Sequence, residues 1–115
     1  MTTSKVGATV LKNGARSLLS ELVVPTATKK IDFTLDGSAW PANTSIKITL
    51  DTSDDGVTWR PHAEMTTDSN AVKGGSCSLG LDFWQGNTNA NFAVRFFTEV
   101  LSATSIIAVG TLSYV

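Results

Sequence analysis

A chain of 115 residues, with nine basic against ten acidic side chains and a formal net charge of −1, has the length of one compact domain with one core. This balance excludes the clustered basic face that nucleic acid or an anionic membrane demands, since no basic run exceeds Lys29-Lys30. One cysteine (Cys77) and one histidine (His62) exclude an internal disulfide, a Cys/His zinc set and a CxxC pair, so no cofactor or metal is expected.

Hydroxyls dominate what remains, with 16 threonines and 12 serines, while only 17% of residues are charged. Threonine suits strands because its branched β-carbon packs on a pleated surface; serine, asparagine and glycine suit turns. An all-β domain with a neutral exterior is the direct expectation.

In chain order, Thr2, Thr3, Ser4, Gly7, Asn13 and Gly14 offer little to bury, so residues 1–14 read as a flexible or partner-ordered arm and 15–115 as the domain. Val6–Leu11 also has strand character. Lys5, Lys12 and Arg16 interrupt any apolar run before Leu18, which argues against a signal peptide and for synthesis in a reducing cytoplasm. No stretch approaches the ~20 apolar residues of a membrane helix. Arg16–Val24 reads as a strand or as one amphipathic turn ahead of Pro25, with Val23-Val24 favouring extended backbone.

Alternation then takes over. Ile31, Phe33 and Leu35 share one face against Asp32 and Thr34; Ile46, Ile48 and Leu50 share one against Lys47 and Thr49. Leu79, Leu81 and Phe83 repeat the period, as do Phe92, Val94 and Phe96. Ser105–Val115 is a β-branched run whose apolar parity changes near Gly110, where a bulge or a strand buried on both faces is expected. Turn signals separate these runs: Asp36-Gly37-Ser38, Pro41-Ala42-Asn43, Asp54-Asp55-Gly56, Lys73-Gly74-Gly75, Gly86-Asn87-Thr88-Asn89 and Ser102-Ala103-Thr104. The pattern implies a single β-sandwich, immunoglobulin-like or jelly-roll-like, of about 7–8 antiparallel strands.

The most specific local motif is Thr52-Ser53-Asp54-Asp55-Gly56-Val57-Thr58-Trp59, which matches the Asp-box pattern [Ser/Thr]-x-Asp-x-Gly-x-Thr-Trp. As a structural turn it assigns roles to Thr52, Asp54, Gly56, Thr58 and Trp59. Asp54 accepts backbone N–H groups, Gly56 supplies a positive φ, and Trp59 folds over the hairpin as a plug. The motif specifies a turn rather than an activity; sialidase-type propellers repeat it once per blade, and one copy in 115 residues excludes that architecture. Asp51, Asp54 and Asp55 gather hard oxygen donors, but the closing glutamate of a calcium loop is absent and turn-stabilising aspartates are the commoner outcome.

Trp84 is out of phase with Leu79, Leu81 and Phe83. The preferred reading ends the strand at Phe83 and lets Trp84 cap the open end of the core; the alternative exposes it as a contact for a partner. Phe97, also out of phase, raises the same question. Trp40, before Pro41, packs over a sandwich edge in this reading. His62 follows Pro61 on an edge strand as a surface residue, and Cys77 reads as a small buried or half-buried thiol. Glu64, Asp68, Asp82 and Glu99 make no recognisable acid/base pair, so an enzyme is not expected.

Ile31–Leu35, Ser38-Ala39-Trp40-Pro41, Ile46–Leu50 and the motif through Trp59 together resemble the layout of small accessory proteins of tailed bacteriophage virions. The resemblance covers residues 31–59 best and 25–115 loosely. It implies a non-enzymatic virion protein, a capsid decoration (cement) or head accessory subunit that binds the assembled shell. The major capsid protein or other virion subunits are then its partners, a homotrimer is among the assemblies expected, and nucleic acid and membrane are not. Candidate contacts are Thr2, Thr3 and Lys5 of the arm with Trp84 and Phe97. The alternatives are a tail accessory subunit and a carbohydrate-binding module that stacks sugars on exposed tryptophans.

Overall fold

Alternating sequences bury one face only if a second sheet covers it, and this chain solves that with two four-stranded antiparallel sheets. The computed structural model describes residues 2–10, 16–36, 40, 43–68, 76–101 and 106–115. Eight strands lie within them: β1 (Thr2–Val10), β2 (Ser17–Val23), β3 (Lys30–Asp36), β4 (Ser45–Ser53), β5 (Arg60–Asp68), β6 (Ser76–Asp82), β7 (Ala93–Val100) and β8 (Ile106–Tyr114). Sheet A has the order β1-β8-β3-β6 and sheet B the order β2-β7-β4-β5. Each of the pairs β1 with β8, β2 with β7, β3 with β6 and β4 with β5 is antiparallel. The chain is therefore one long hairpin rolled up on itself, and of the two sandwich topologies expected this order is the jelly roll.

The inward faces follow the alternation. Ile31, Phe33, Leu35 and Leu112 of sheet A meet Ile46, Ile48, Leu50, Val94 and Phe96 of sheet B, all buried. The Phe33 and Phe96 rings stack across the two sheets with centroids 4.8 Å apart. Trp40, 8% exposed, belongs to this core cluster. Strand β8 keeps a single parity: Ile106, Gly110 and Leu112 all face inward, and neither register of β8 slips at Gly110. The expected bulge is absent because Gly110 makes room for the Phe33 ring, whose Cε1 would lie 2.7 Å from a β-carbon there.

The N-terminal segment departs from the expectation. Thr2–Val10, read as part of a flexible arm, pairs residue by residue with β8 from Thr2↔Tyr114 to Val10↔Ile106. Residues 11–15 lie outside those described. A strand of low apolar content can still form when a neighbour supplies a full ladder of backbone partners, which is information distant in sequence. Arg16–Val24 resolves as strand rather than helix in β2, with one irregularity between Leu18 and Ser20. That irregularity keeps Leu19 in the core while Leu18 turns outward, 48% exposed.

Candidate functional site

Three polar surfaces are built on this frame. The first is the outer face of sheet B. There the register sets Asp51 of β4 beside Arg95 of β7, and Thr49 beside Phe97. Arg16 enters from the start of β2: its guanidinium lies 3.9 Å from the Phe97 ring centre and bonds the Asp51 carboxylate at 2.8 Å. Asp51 is 7% exposed on its side chain, and its Oδ1 finds no hydrogen-bond partner among the described residues. Arg95 makes a parallel arrangement, bonding Glu21 at 2.6 Å and lying 3.9 Å from the Trp59 ring centre. Two guanidinium planes therefore cover two aromatic rings. Phe97, a candidate contact by sequence, is half-buried beneath Arg16 rather than presented to a partner.

The second surface is the β4–β5 hairpin tip carrying the Asp-box. Gly56 takes φ +78°, as the motif requires. The aspartate that ties the turn is Asp55, however, and not Asp54. Asp55 Oδ1 accepts the backbone N–H groups of Val57 and Thr58, both at 2.8 Å, and the Ser53 hydroxyl at 3.0 Å. Ser53 Oγ in turn accepts the Gly56 N–H at 2.8 Å. The Thr58 and Val57 N–H groups, with the Ser53 hydroxyl, hold the Asp55 carboxyl down at about 2, from an ordinary 3.8. Asp54 instead bonds Arg60 at 3.0 Å, and Thr52 is buried. The Trp59 ring lies against the Arg95 guanidinium of the sheet face, 3.9 Å from its centre. Asp51 thus bonds Arg16, Asp54 bonds Arg60, and Asp55 bonds Ser53, Val57 and Thr58, so the three carboxylates share no partner. Among the described residues no group of three His, Cys, Asp or Glu side chains is placed to hold a metal ion.

The third surface is the β6–β7 loop. Strand β6 ends at Asp82, and Phe83 packs edge-on against Phe92 with centroids 5.5 Å apart. Phe83 fills the place that the capping reading gave to Trp84, and Trp84 turns out to solvent, 93% exposed. The loop beneath it is clamped. Buried Asn87 donates from its amide to the carbonyls of Val24 (3.0 Å), Pro25 (3.3 Å) and Asn89 (2.9 Å), and its Oδ1 accepts the Asn89 N–H at 3.1 Å. Asn89 reaches on to the Asp54 carbonyl at 2.9 Å, linking this loop to the Asp-box hairpin. Gly86, at φ +90°, packs on Ala27, which itself holds a left-handed φ of 70°. The sequence marked Asn87 only as one of four turn residues; that its side chain is buried and bonds Val24 and Pro25 has no spacing signature.

The remaining candidates scatter. Thr2, Thr3 and Lys5 sit opposite Tyr114, Ser113 and Thr111 on β1, which ends sheet A. His62 is exposed on edge strand β5, and Glu64 pairs with Lys47 at 3.1 Å. Cys77 stands opposite Leu35 in the β3–β6 register, and its side chain lies outside those described. No helix of the described residues is long and apolar enough to cross a membrane.

Neither a family model nor a curated protein matches the sequence. Among solved structures, the crystal structure of the Yersinia pseudotuberculosis-derived mitogen is similar, with a TM-score of 0.57 at 11% identity over 98% of this chain and 84% of that chain. At that identity the likeness is one of fold.

Proposed function

We propose that this chain is a non-enzymatic structural subunit of a tailed-phage virion, a capsid decoration or head accessory protein that docks on the assembled shell through strand β1 and the outer face of sheet A. The observation that supports this reading is the character of that face. Thr34 and Thr111 stand opposite one another in it, Ser78 lies beside Thr34, and Ser113 faces Asp32, so small hydroxyl side chains fill its middle. β1 borders it with nine residues, among which Lys5 carries the one side-chain charge.

A face of this kind is soluble alone and costs little to desolvate, because hydroxyls exchange water for a partner's polar groups without leaving a charge unpaired. A terminal strand adds backbone groups that can pair with a shell subunit, and many copies side by side raise the effective concentration of each contact. The major capsid protein is the partner this reading names, and virion the location.

The test is occupancy on purified particles of the phage that encodes the chain. The reading expects the protein in washed virions by mass spectrometry. It also expects the Thr34→Arg/Thr111→Arg variant to lose at least tenfold in particle binding while its melting temperature stays within a few degrees. Virions free of the protein, or unchanged binding by that variant, overturn it.

A further inference from the structure

The end of the sandwich that carries Trp84 belongs to neither the core nor sheet A, and its chemistry is specific enough to name a ligand class. We propose that Trp84 and the neutral amide and hydroxyl groups of its loop form a binding site for a neutral oligosaccharide, with the indole as the stacking platform.

The first support is exposure without a partner. Trp84 is 93% exposed, whereas Trp40 is buried in the core cluster and Trp59 lies against Arg95. Among the described residues Trp84 enters none of the ring contacts made by the other aromatics. An indole presents a broad face with negative potential, and the axial C–H groups of a pyranose present the complementary positive edge.

The second is rigidity. Trp84 stands between two anchored residues: Phe83 donates its N–H to the Lys29 carbonyl at 2.8 Å, and Gly86 packs so closely on the Ala27 backbone that a β-carbon there would lie 3.1 Å from Ala27 Cα. Asn87 then ties the loop to Val24, Pro25 and Asn89. The backbone that carries Trp84 is thus held in advance, which removes the loop-ordering part of the cost of binding. Ala27 in a left-handed conformation marks backbone strain concentrated under this loop.

The third is charge. Residues 83–92 read Phe-Trp-Gln-Gly-Asn-Thr-Asn-Ala-Asn-Phe, without one ionisable side chain, and Gln85, Thr88 and Asn91 are exposed. Amides and hydroxyls both donate and accept, which matches sugar hydroxyls, and the loop offers no positive charge to pair with a phosphate or carboxylate.

Tryptophan fluorescence titration of the full chain with cellohexaose, maltohexaose and chitohexaose, extended to a broad array of neutral glycans, tests the site. The expected result is a saturable blue shift with at least one neutral saccharide at a Kd of about 1 mM or tighter. Trp84→Ala should abolish the shift, or weaken binding at least tenfold, with an unchanged melting temperature. No response across the titrations and the array overturns the proposal, as does saccharide binding that survives Trp84→Ala. Loss of particle binding by Trp84→Ala without any saccharide response also overturns it and assigns the indole to a protein contact.

Discussion

Gly110 of β8 lies directly against the ring of Phe33 on β3, so close that a β-carbon at 110 would stand 2.7 Å from Phe33 Cε1. Phe33 cannot retreat, because it is fully buried and stacked on Phe96 from the opposite sheet. Gly110→Ala is therefore expected to destabilise by about 1–3 kcal/mol through overpacking, read as a lower midpoint in urea unfolding. Adding Phe33→Leu to that variant should cost less than the sum of the two single changes, since one relieves the clash the other creates. Additive costs would show that the two residues do not compete for the same space.

Arg16 and Asp51 form a second coupled pair. The carboxylate is nearly buried on a sheet face that otherwise meets water, and Arg16 bonds one of its oxygens. Arg16→Ala should destabilise by about 1–3 kcal/mol, because it leaves a buried charge without its charged partner. Arg16→Lys should recover only part of this, since an ammonium lacks the plane that stacks on Phe97. A double-mutant cycle with Asp51→Ala measures the coupling, and a value near zero would remove the pair from any account of stability.

Asn87→Ala should cost about 2–4 kcal/mol, because three carbonyls and one N–H lose a buried partner together. Asn87→Asp should fare no better, since a carboxylate cannot donate to those carbonyls. Thermal unfolding checks both, and hydrogen exchange at residues 83–92 should rise in each variant.

Ala27→Gly is expected to act in the opposite direction. Relief of a left-handed φ at a residue with a β-carbon outweighs the entropy of glycine by about 0.5–1 kcal/mol. A lower melting temperature for this variant would show that the left-handed φ of Ala27 carries no strain worth relieving.

Asp55 gives the chain a pH signature. Its folded carboxyl titrates at about 2, below its ordinary 3.8, because Thr58 and Val57 N–H groups bond the ionised form. Between those values the unfolded chain binds more protons than the folded one, so this contribution is present above about pH 4 and is lost as pH falls towards 2. Asp55→Asn should lower the melting temperature at neutral pH, with the gap to the parent protein closing across that window. A gap that is constant from pH 5 to pH 2 would overturn the assignment.

Several of these residues were legible beforehand and others were not, for physical reasons. Ile31, Phe33, Leu35, Ile46, Ile48 and Leu50 announced their faces because a buried sheet face imposes a period of two on a single segment. The hairpin was legible as a turn, yet Asp54 and Asp55 are chemically identical neighbours, and only the turn's geometry decides that Asp55 points at the N–H groups. Trp84 was legible as out of phase; that Phe83 and Phe92 already close the space beneath it depends on two segments meeting. Phe97 lacked its explanation for the same reason, since Arg16, which covers it, lies 81 positions earlier.

The amino-acid sequence by itself determined an all-β sandwich, its inward faces and its turns, because alternation and turn chemistry act over a few neighbouring residues. Tertiary structure alone decided that the sandwich is a jelly roll, that Thr2–Val10 belongs to sheet A, and which aromatic rings meet water. Those outcomes rest on pairings between distant segments, and a backbone ladder or a stacked guanidinium carries no mark in either partner's local sequence.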